Sequence, residues 1–328
     1  MKAVFFDVSE LENNRINEFS EENNGIDITA YKSDITSAKG EDYGAEVISI
    51  FINSQLRKET LDKFTNLKLV LTRSTGFDHI DIDECKRRGI KFCNVPDYGD
   101  NTVAEFTFFL ILSLLRGINL TRSVSANTAP GDELEGKTIG IVGVGRIGTK
   151  VAEIANAFGM KILYNSHKNN QLVDSIGGSK VELKELLNSS NVVTLHVPLT
   201  KDTYHLINKD NIKYMKKGSY LVNTSRGAVV ETEAIIEGIE SKTLAGAALD
   251  VIEGEEFAGK EMEIIRKGEN YDLIKLALED SILKKYDNVI LTPHIAYNTH
   301  EALERIIDET LENLSNMLKG KELRNVVV

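Results

Sequence analysis

Residues 138–159 read TIGIVGVGRIGTKVAEIANAFG. Ile139 to Val142 is a short apolar run with the length and β-branching of a buried strand. The run stops at Gly143-Val144-Gly145-Arg146-Ile147-Gly148, after which apolar residues recur at helical spacing through Ile147, Val151, Ile154 and Phe158. Strand, glycine turn and helix in that order make G-x-G-x-x-G a dinucleotide fingerprint rather than a chance pattern. Gly143 makes the tight turn, Gly145 lets a pyrophosphate approach bare main chain, and Gly148 lets the helix lie close against the strand. Amides at the helix start then meet the phosphates, at about 0.3–1 kcal/mol for each charge–dipole contact.

Around this stretch lie 328 residues, enough for two domains with substantial cores. Apolar residues make up 41% and charged residues 27%, the balance of an ordinary globular protein. A formal charge of -11 argues against nucleic acid or an anionic membrane as partner, and requires local cations for any anionic substrate. Cys85 and Cys93 are the two cysteines, and neither sits in a metal-ligand pattern, so no metal is expected and a reducing, cytoplasmic compartment is. The opening MKAVFFDVSE has too short an apolar run for a signal peptide. Phe106 to Leu115, the most membrane-like segment, falls well short of the roughly 20 residues a span needs.

Strand-like runs and helices alternate from the start. Strands are expected at Lys2–Val8, Ile26–Ala30, Val47–Ile52, Leu69–Thr72 and Ile90–Asn94, with helices to about Asn23, at Glu59–Phe64 and at Asp81–Arg88. Beyond the fingerprint, strands are expected at Lys161–Tyr164, Val192–His196, Tyr220–Asn223, Leu244–Asp250 and Val289–Thr292, before a final amphipathic helix, His300–Leu318. Such alternation implies parallel sheets with helices on both faces. The pattern predicts two Rossmann-like, doubly wound α/β domains with an active-site cleft between them. Residues 101–297 form the dinucleotide-binding domain, and 1–100 with 298–328 a discontinuous substrate-binding (catalytic) domain. Asn101–Arg116 is apolar almost all round, as for a crossover helix buried between domains or at a dimer contact. Ser123–Gly136 reads as a loop, and Glu256–Lys285 as a charged, weakly helical insertion.

In a doubly wound sheet, ligands sit beyond the carboxyl ends of the strands. That rule selects Arg226, Asp250, His294, His196 and the pair Thr75-Gly76, each of which follows a strand-like run.

Over essentially its whole length the chain resembles the D-isomer-specific 2-hydroxyacid dehydrogenase family, on the ordered motifs GVGRIG, LHVPLT, NTSRGAVV, ALDVIEGE and TPHIA. RSTGFDHID and NVPDYGDNTVAE, with Tyr98, resemble its D-lactate dehydrogenase branch in particular. The resemblance implies hydride exchange between a nicotinamide dinucleotide and a small 2-oxo acid, with pyruvate and D-lactate as the leading pair. Arg226 would hold the substrate carboxylate and lie near the keto oxygen, a task suited to a planar, permanently charged fork. His294 would pass the proton and Glu255 would orient its ring. Amides of Thr75 and Gly76 would complete the carboxylate site, and Tyr98 and Tyr297 would shape the substrate side. Around the coenzyme, Gly143, Gly145, Arg146, Ile147 and Gly148 would line the pyrophosphate. Val197 and Pro198 would lie by the adenosine and Thr224 and Asp250 near the nicotinamide, with His196, Thr203 and Ser225 also lining the cofactor pocket.

One departure concerns the coenzyme. About 20 residues past the first glycine an acidic residue normally binds the adenosine ribose and repels a 2′-phosphate; here the strand runs into Asn165-Ser166-His167-Lys168. NAD and NADP are therefore both open. Other outcomes within the resemblance are glyoxylate or hydroxypyruvate reduction on the same groups, and a non-catalytic dinucleotide sensor like the corepressors that share this fold. A homodimer is the expected assembly.

Overall fold

Runs of four or five apolar residues separated by helices can bury both faces only in a parallel sheet, and two such sheets form. The computed structural model of the chain describes residues 1–118, 130–255, 266 and 271–328. These divide into unit 1, Met1–Gly99 with Asn298–Val328, and unit 2, Asp100–Tyr297.

In unit 1, β1 (Lys2–Phe5), β2 (Asp27–Ala30), β3 (Val47–Ile50), β4 (Leu69–Thr72) and β5 (Lys91–Cys93) pair in parallel in the order β2-β1-β3-β4-β5. Ile48, Val70 and Phe92 join Leu61 and Phe64 in one buried cluster. Ala3, Phe5 and Leu71 form another with Ile16, Ile307 and Leu311, so the C-terminal helix His300–Leu318 belongs to this unit. The last residues cover the β5 edge, with Phe92 N–H donating to Val328 O (3.1 Å) and Val327 N–H to Phe92 O (2.8 Å). The strand expected over Val47–Ile52 ends at Ile50 because the next amide, Phe51 N–H, turns to the Asp7 carboxylate at 3.1 Å. The helix expected over Glu59–Phe64 is a single turn, Lys58–Leu61.

At the carboxyl end of β4, Arg73 is fully buried. Its Nε donates to Glu12 Oε1 (2.8 Å), Nη1 to Ser49 Oγ (3.0 Å), and Nη2 to the carbonyls of Phe6 (2.6 Å) and Asp7 (2.8 Å). Every acceptor lies on or beside β1, β3 or the helix Glu10–Glu22, so this one cation ties together the point where the strand order reverses. Glu12 also closes a capping box with Ser9 through its second oxygen, at 2.8 Å from Ser9 N.

In unit 2, β6 (Thr138–Val142), β7 (Lys161–Asn165), β8 (Ser179–Lys180), β9 (Val192–Leu195), β10 (Ser219–Asn223), β11 (Leu244–Leu249) and β12 (Val289–Leu291) are parallel, in the order β12-β11-β10-β9-β6-β7-β8. The direction of winding reverses between β6 and β9, which makes their carboxyl ends the ligand crevice. The helix Asp100–Leu115 lies wholly in unit 2 and packs on the helix Arg146–Ala157 and on β10 and β11. Phe109 is its outward exception, 53% exposed. Half of the loop expected at Ser123–Gly136 and nearly half of the insertion expected at Glu256–Lys285 lie outside the described residues. The described end of the insertion is the helix Tyr271–Leu283, joined by Lys275 to Glu233 at 2.6 Å. Among the described residues no helix is long and apolar enough to cross a membrane.

Removing one partner of a buried ion pair leaves an uncompensated charge, at a cost of about 3–5 kcal/mol. Glu12→Ala is therefore expected to lower the unfolding free energy by about 3 kcal/mol or more, read as a lower urea midpoint. A midpoint equal to that of the parent protein would show that Arg73 does not depend on Glu12.

Candidate active site

The crevice begins at Gly143, which takes φ 91° directly after β6. A Cβ there would lie 2.7 Å from His196 O and 2.7 Å from Val197 Cγ1, so the turn and the end of β9 approach as only glycine permits. At Gly148 a Cβ would fall 2.0 Å from Gly143 O, so the helix packs on the turn itself as well as on the strand. Gly145 is the opposite case: nothing lies within 4 Å of its missing side chain. It is the N-cap of the helix Arg146–Ala157, makes no side-chain cap, and first serves the helix by accepting from Thr149 N–H at 2.9 Å. Bare main chain at the helix start thus faces open space, as the cradle of a pyrophosphate requires. Ile147 is half-buried on this first turn, and Arg146 lies 3.4 Å from the Asp100 carboxylate.

His196 closes the other side. Its Nε2 meets Thr194 Oγ1 at 2.9 Å, while its Nδ1 is enclosed and has no hydrogen-bond partner among the described residues. Burial pushes its pKa down to about 3, so the ring is neutral at physiological pH and is not a proton donor. An enclosed, unpartnered ring nitrogen at the switch point is what a polar ligand would satisfy. Beyond it, Thr203 Oγ1 donates to Pro198 O at 2.6 Å and accepts from Thr200 N–H at 2.8 Å, which shapes the Val197–Thr203 turn.

At the end of β7, Asn165 Nδ2 donates to Val181 O at 2.9 Å. A carbonyl partner requires the amide nitrogen there, so Oδ1 is left as a neutral acceptor. Ser166 is half-buried, and His167 and Lys168 are exposed. Lys180, on the two-residue strand β8, reaches His167 O with its Nζ at 3.1 Å.

The carboxyl ends of β10, β11 and β12 lie side by side. After β10, Asn223 Oδ1 accepts from Ser225 N–H (3.0 Å) and Ser225 Oγ (2.7 Å), while its Nδ2 donates to Arg226 O (2.9 Å). That side chain builds the turn that presents Arg226, whose Nη1 also meets Ser225 O at 2.8 Å. Thr224 spends its hydroxyl on Thr107 Oγ1, 3.1 Å away on the helix Asp100–Leu115. A Cβ at Gly227 would sit 2.0 Å from Ile252 O, so the Arg226 turn is pressed against the segment that leads to Glu255. His205 joins the same two turns: its N–H donates to Ala228 O (2.8 Å) and its Nε2 meets Glu253 Oε1 (2.6 Å).

After β12, His294 takes φ 52°, and its Nδ1 lies 3.0 Å from Glu255 Oε1, as expected of a ring orienter. The Tyr297 ring stands edge-on to the imidazole, 6.2 Å between centroids. Asp250, expected near a nicotinamide, is spent on this loop. Its Oδ1 accepts from Thr292 Oγ1 (2.6 Å) and Ile295 N–H (2.9 Å), its Oδ2 from Ala296 N–H (2.9 Å), and its carbonyl from His294 N–H (2.9 Å).

In unit 1, Ser74 Oγ donates to Gly76 O (2.7 Å), Thr75 Oγ1 to Val95 O (3.0 Å), and Asn94 Nδ2 to Thr75 O (2.9 Å). The turn is therefore held through side chains and carbonyls. Among the described residues the N–H groups of Thr75 and Gly76 have no acceptor. Tyr98 is anchored by its carbonyl to Arg305, at 2.7 and 2.9 Å.

Residues 108–296 match the family model for the D-isomer specific 2-hydroxyacid dehydrogenase NAD-binding domain. A glyoxylate reductase of Thermofilum pendens is 38% identical over 84% of this chain and 79% of that protein. An aromatic 2-oxoacid reductase of Clostridium sporogenes is 39% identical over 84% of each. The solved D-lactate dehydrogenase of Aquifex aeolicus, complexed with NAD and lactic acid, superposes with a TM-score of 0.87, at 37% identity over 99% of both chains. The crevice that Gly143, Gly145 and His196 build lies within the matched NAD-binding domain, and the chain belongs to the NAD(P)-dependent D-isomer-specific 2-hydroxyacid dehydrogenases.

Proposed function

We propose that the protein interconverts pyruvate and D-lactate, with Arg226, His294 and Glu255 as its catalytic groups. The observation that carries this is the His294–Glu255 pair, 3.0 Å apart on turns adjoining the one that presents Arg226. A bound nicotinamide supplies or accepts the hydride. Arg226 holds the carboxylate and polarises the keto oxygen through its fork of N–H donors. His294 gives that oxygen a proton during reduction and takes it back during oxidation, a contribution typically of 10²–10⁴ in rate. Glu255 keeps Nδ1 occupied, so Nε2 is the nitrogen that faces the substrate. In unit 1 the Thr75 and Gly76 amides suit a carboxylate, and the resemblance to the lactate-complexed enzyme favours a small side chain over the larger substrates of other relatives.

The coenzyme loop is read as accepting both NADH and NADPH. Asn165 Oδ1 offers a ribose hydroxyl an acceptor without the negative charge that rejects a 2′-phosphate. Ser166, His167, Lys168 and Lys180 supply a hydroxyl and cationic groups at the same strand end. A homodimer is supported by the apolar patch on the helix Asp100–Leu115, where Phe109 is 53% exposed and 5.4 Å from the Phe106 ring.

The test is turnover of purified protein with NADH or NADPH against pyruvate, glyoxylate, hydroxypyruvate and phenylpyruvate. Pyruvate is expected to give the highest kcat/KM; glyoxylate in that place would move the assignment to glyoxylate reductase, and no oxidation of either coenzyme would favour a sensor. Arg226→Lys is expected to lower kcat/KM by about 100-fold or more, because an ammonium cannot reproduce the fork; parental kinetics would remove Arg226 from the site. Asn165→Asp is expected to shift the NADH/NADPH preference toward NADH by about tenfold, and an unmoved ratio would place discrimination elsewhere. In sedimentation, the parent protein is expected at twice the chain mass and Phe109→Asp at one; a parent of single mass would end the dimer assignment.

A further inference from the structure

We propose that Asn170 is a positioning residue for the coenzyme, bracing the ribose-binding loop after β7 against the glycine turn after β6. Its Nδ2 donates to Val144 O at 3.0 Å and to Thr149 Oγ1 at 2.8 Å, and both partners belong to the Gly143–Thr149 segment. The Asn170 N–H donates to Tyr164 OH at 3.2 Å, and that hydroxyl donates in turn to Asp174 Oδ1 at 2.6 Å. Tyr164 is fully buried in β7, so Asn170 is tied to the sheet at one end and to the glycine turn at the other. Residues 165–169, which carry Asn165, Ser166, His167 and Lys168, are strung between these two fixed points.

A second brace comes from the glycine side. Thr149 Oγ1 reaches Val144 O at 3.3 Å, closing a triangle with the Asn170 amide. Val144 lies between Gly143 and Gly145, so its carbonyl sets the plane of the peptide that leads into Gly145. Cutting the Asn170 bonds frees both that peptide and the loop that meets the ribose. Preorganisation is lost for the pyrophosphate and ribose contacts that NADH and NADPH share, so both lose affinity, and NADPH loses at least as much because its 2′-phosphate also draws on the same loop.

Asn170 also caps the helix Gln171–Ser175, accepting from Leu172 N–H (3.1 Å) and Val173 N–H (3.2 Å). Capping and bracing use opposite ends of the amide, so they separate by substitution. Serine is as good a cap as asparagine, introduces no charge, and is too short to reach Val144 or Thr149. The inference rests on the crevice being the dinucleotide site, and coenzyme affinity is read directly, by titration calorimetry with NADH and with NADPH. Asn170→Ser is expected to raise Kd for NADH about tenfold, a loss of about 1.4 kcal/mol, and for NADPH by at least as much. Thr149→Val, which removes one acceptor from the other side, is expected to raise both by about threefold and to add little to Asn170→Ser in the double variant. Unchanged affinities in folded Asn170→Ser protein, a shift in one coenzyme alone, or strict additivity would each overturn the brace. Parent protein that binds neither coenzyme would instead overturn the dinucleotide site.

Discussion

The loop after β12 depends on holding one histidine where histidines seldom stay. His294 sits in the left-handed region at φ 52°, a conformation that costs about 1–3 kcal/mol when the residue is not glycine. Asp250 offsets that cost. It is 1% exposed, and its carboxylate is filled by Thr292 Oγ1, Ile295 N–H and Ala296 N–H while its carbonyl takes His294 N–H. Four bonds from one residue hold the Thr292 hydroxyl and the amides of His294, Ile295 and Ala296, and a 3.0 Å contact with Glu255 then occupies Nδ1 of the ring.

The same economy of space sets Arg226 relative to Glu255. Gly227 lies so close to Ile252 that a side chain there would displace the main chain of one turn or the other. His205 spans the two turns from behind, through Ala228 O and Glu253, and itself stands at φ 48°. Glu253 in turn meets Thr232 N and Oγ1 at 3.4 and 3.3 Å, at the start of the helix Thr232–Glu240. The turns after β10 and β11 are therefore joined by backbone packing and by His205, which fixes where the Arg226 and Glu255 main chains lie relative to each other.

Much of this was legible in the sequence because its signals are local. The glycine turn announces itself through spacing, and the strands through apolar runs bounded by breakers, so strand ends carrying Arg226, Asp250 and His294 follow by rule. What was not legible depends on partners far away in the chain. Nothing near Asp250 says that its carboxylate serves residues 292–296, and nothing near Asn170 points to Val144. Nothing near Arg73 points to Glu12, 61 residues earlier, with which it is buried at the reversal of strand order. β8 escaped because two exposed residues, Ser179 and Lys180, carry no apolar signal; their pairing with Leu163 and Tyr164 makes them a strand.

Three histidines stand at or near the working end of unit 2, and their surroundings divide the labour among them. His196 carries an enclosed, unpartnered Nδ1 and is held neutral by burial, which suits contact with a polar ligand and not proton delivery. His205 has its Nε2 taken by Glu253 at 2.6 Å, so that nitrogen is unavailable to a substrate. His294 alone of the three is bound to a carboxylate through Nδ1, on a loop that Asp250 anchors through four hydrogen bonds. An acid–base group needs one nitrogen fixed and the other presented. In the proposed reaction, environment rather than residue type or backbone conformation therefore selects His294, since His205 shares the left-handed backbone at φ 48°.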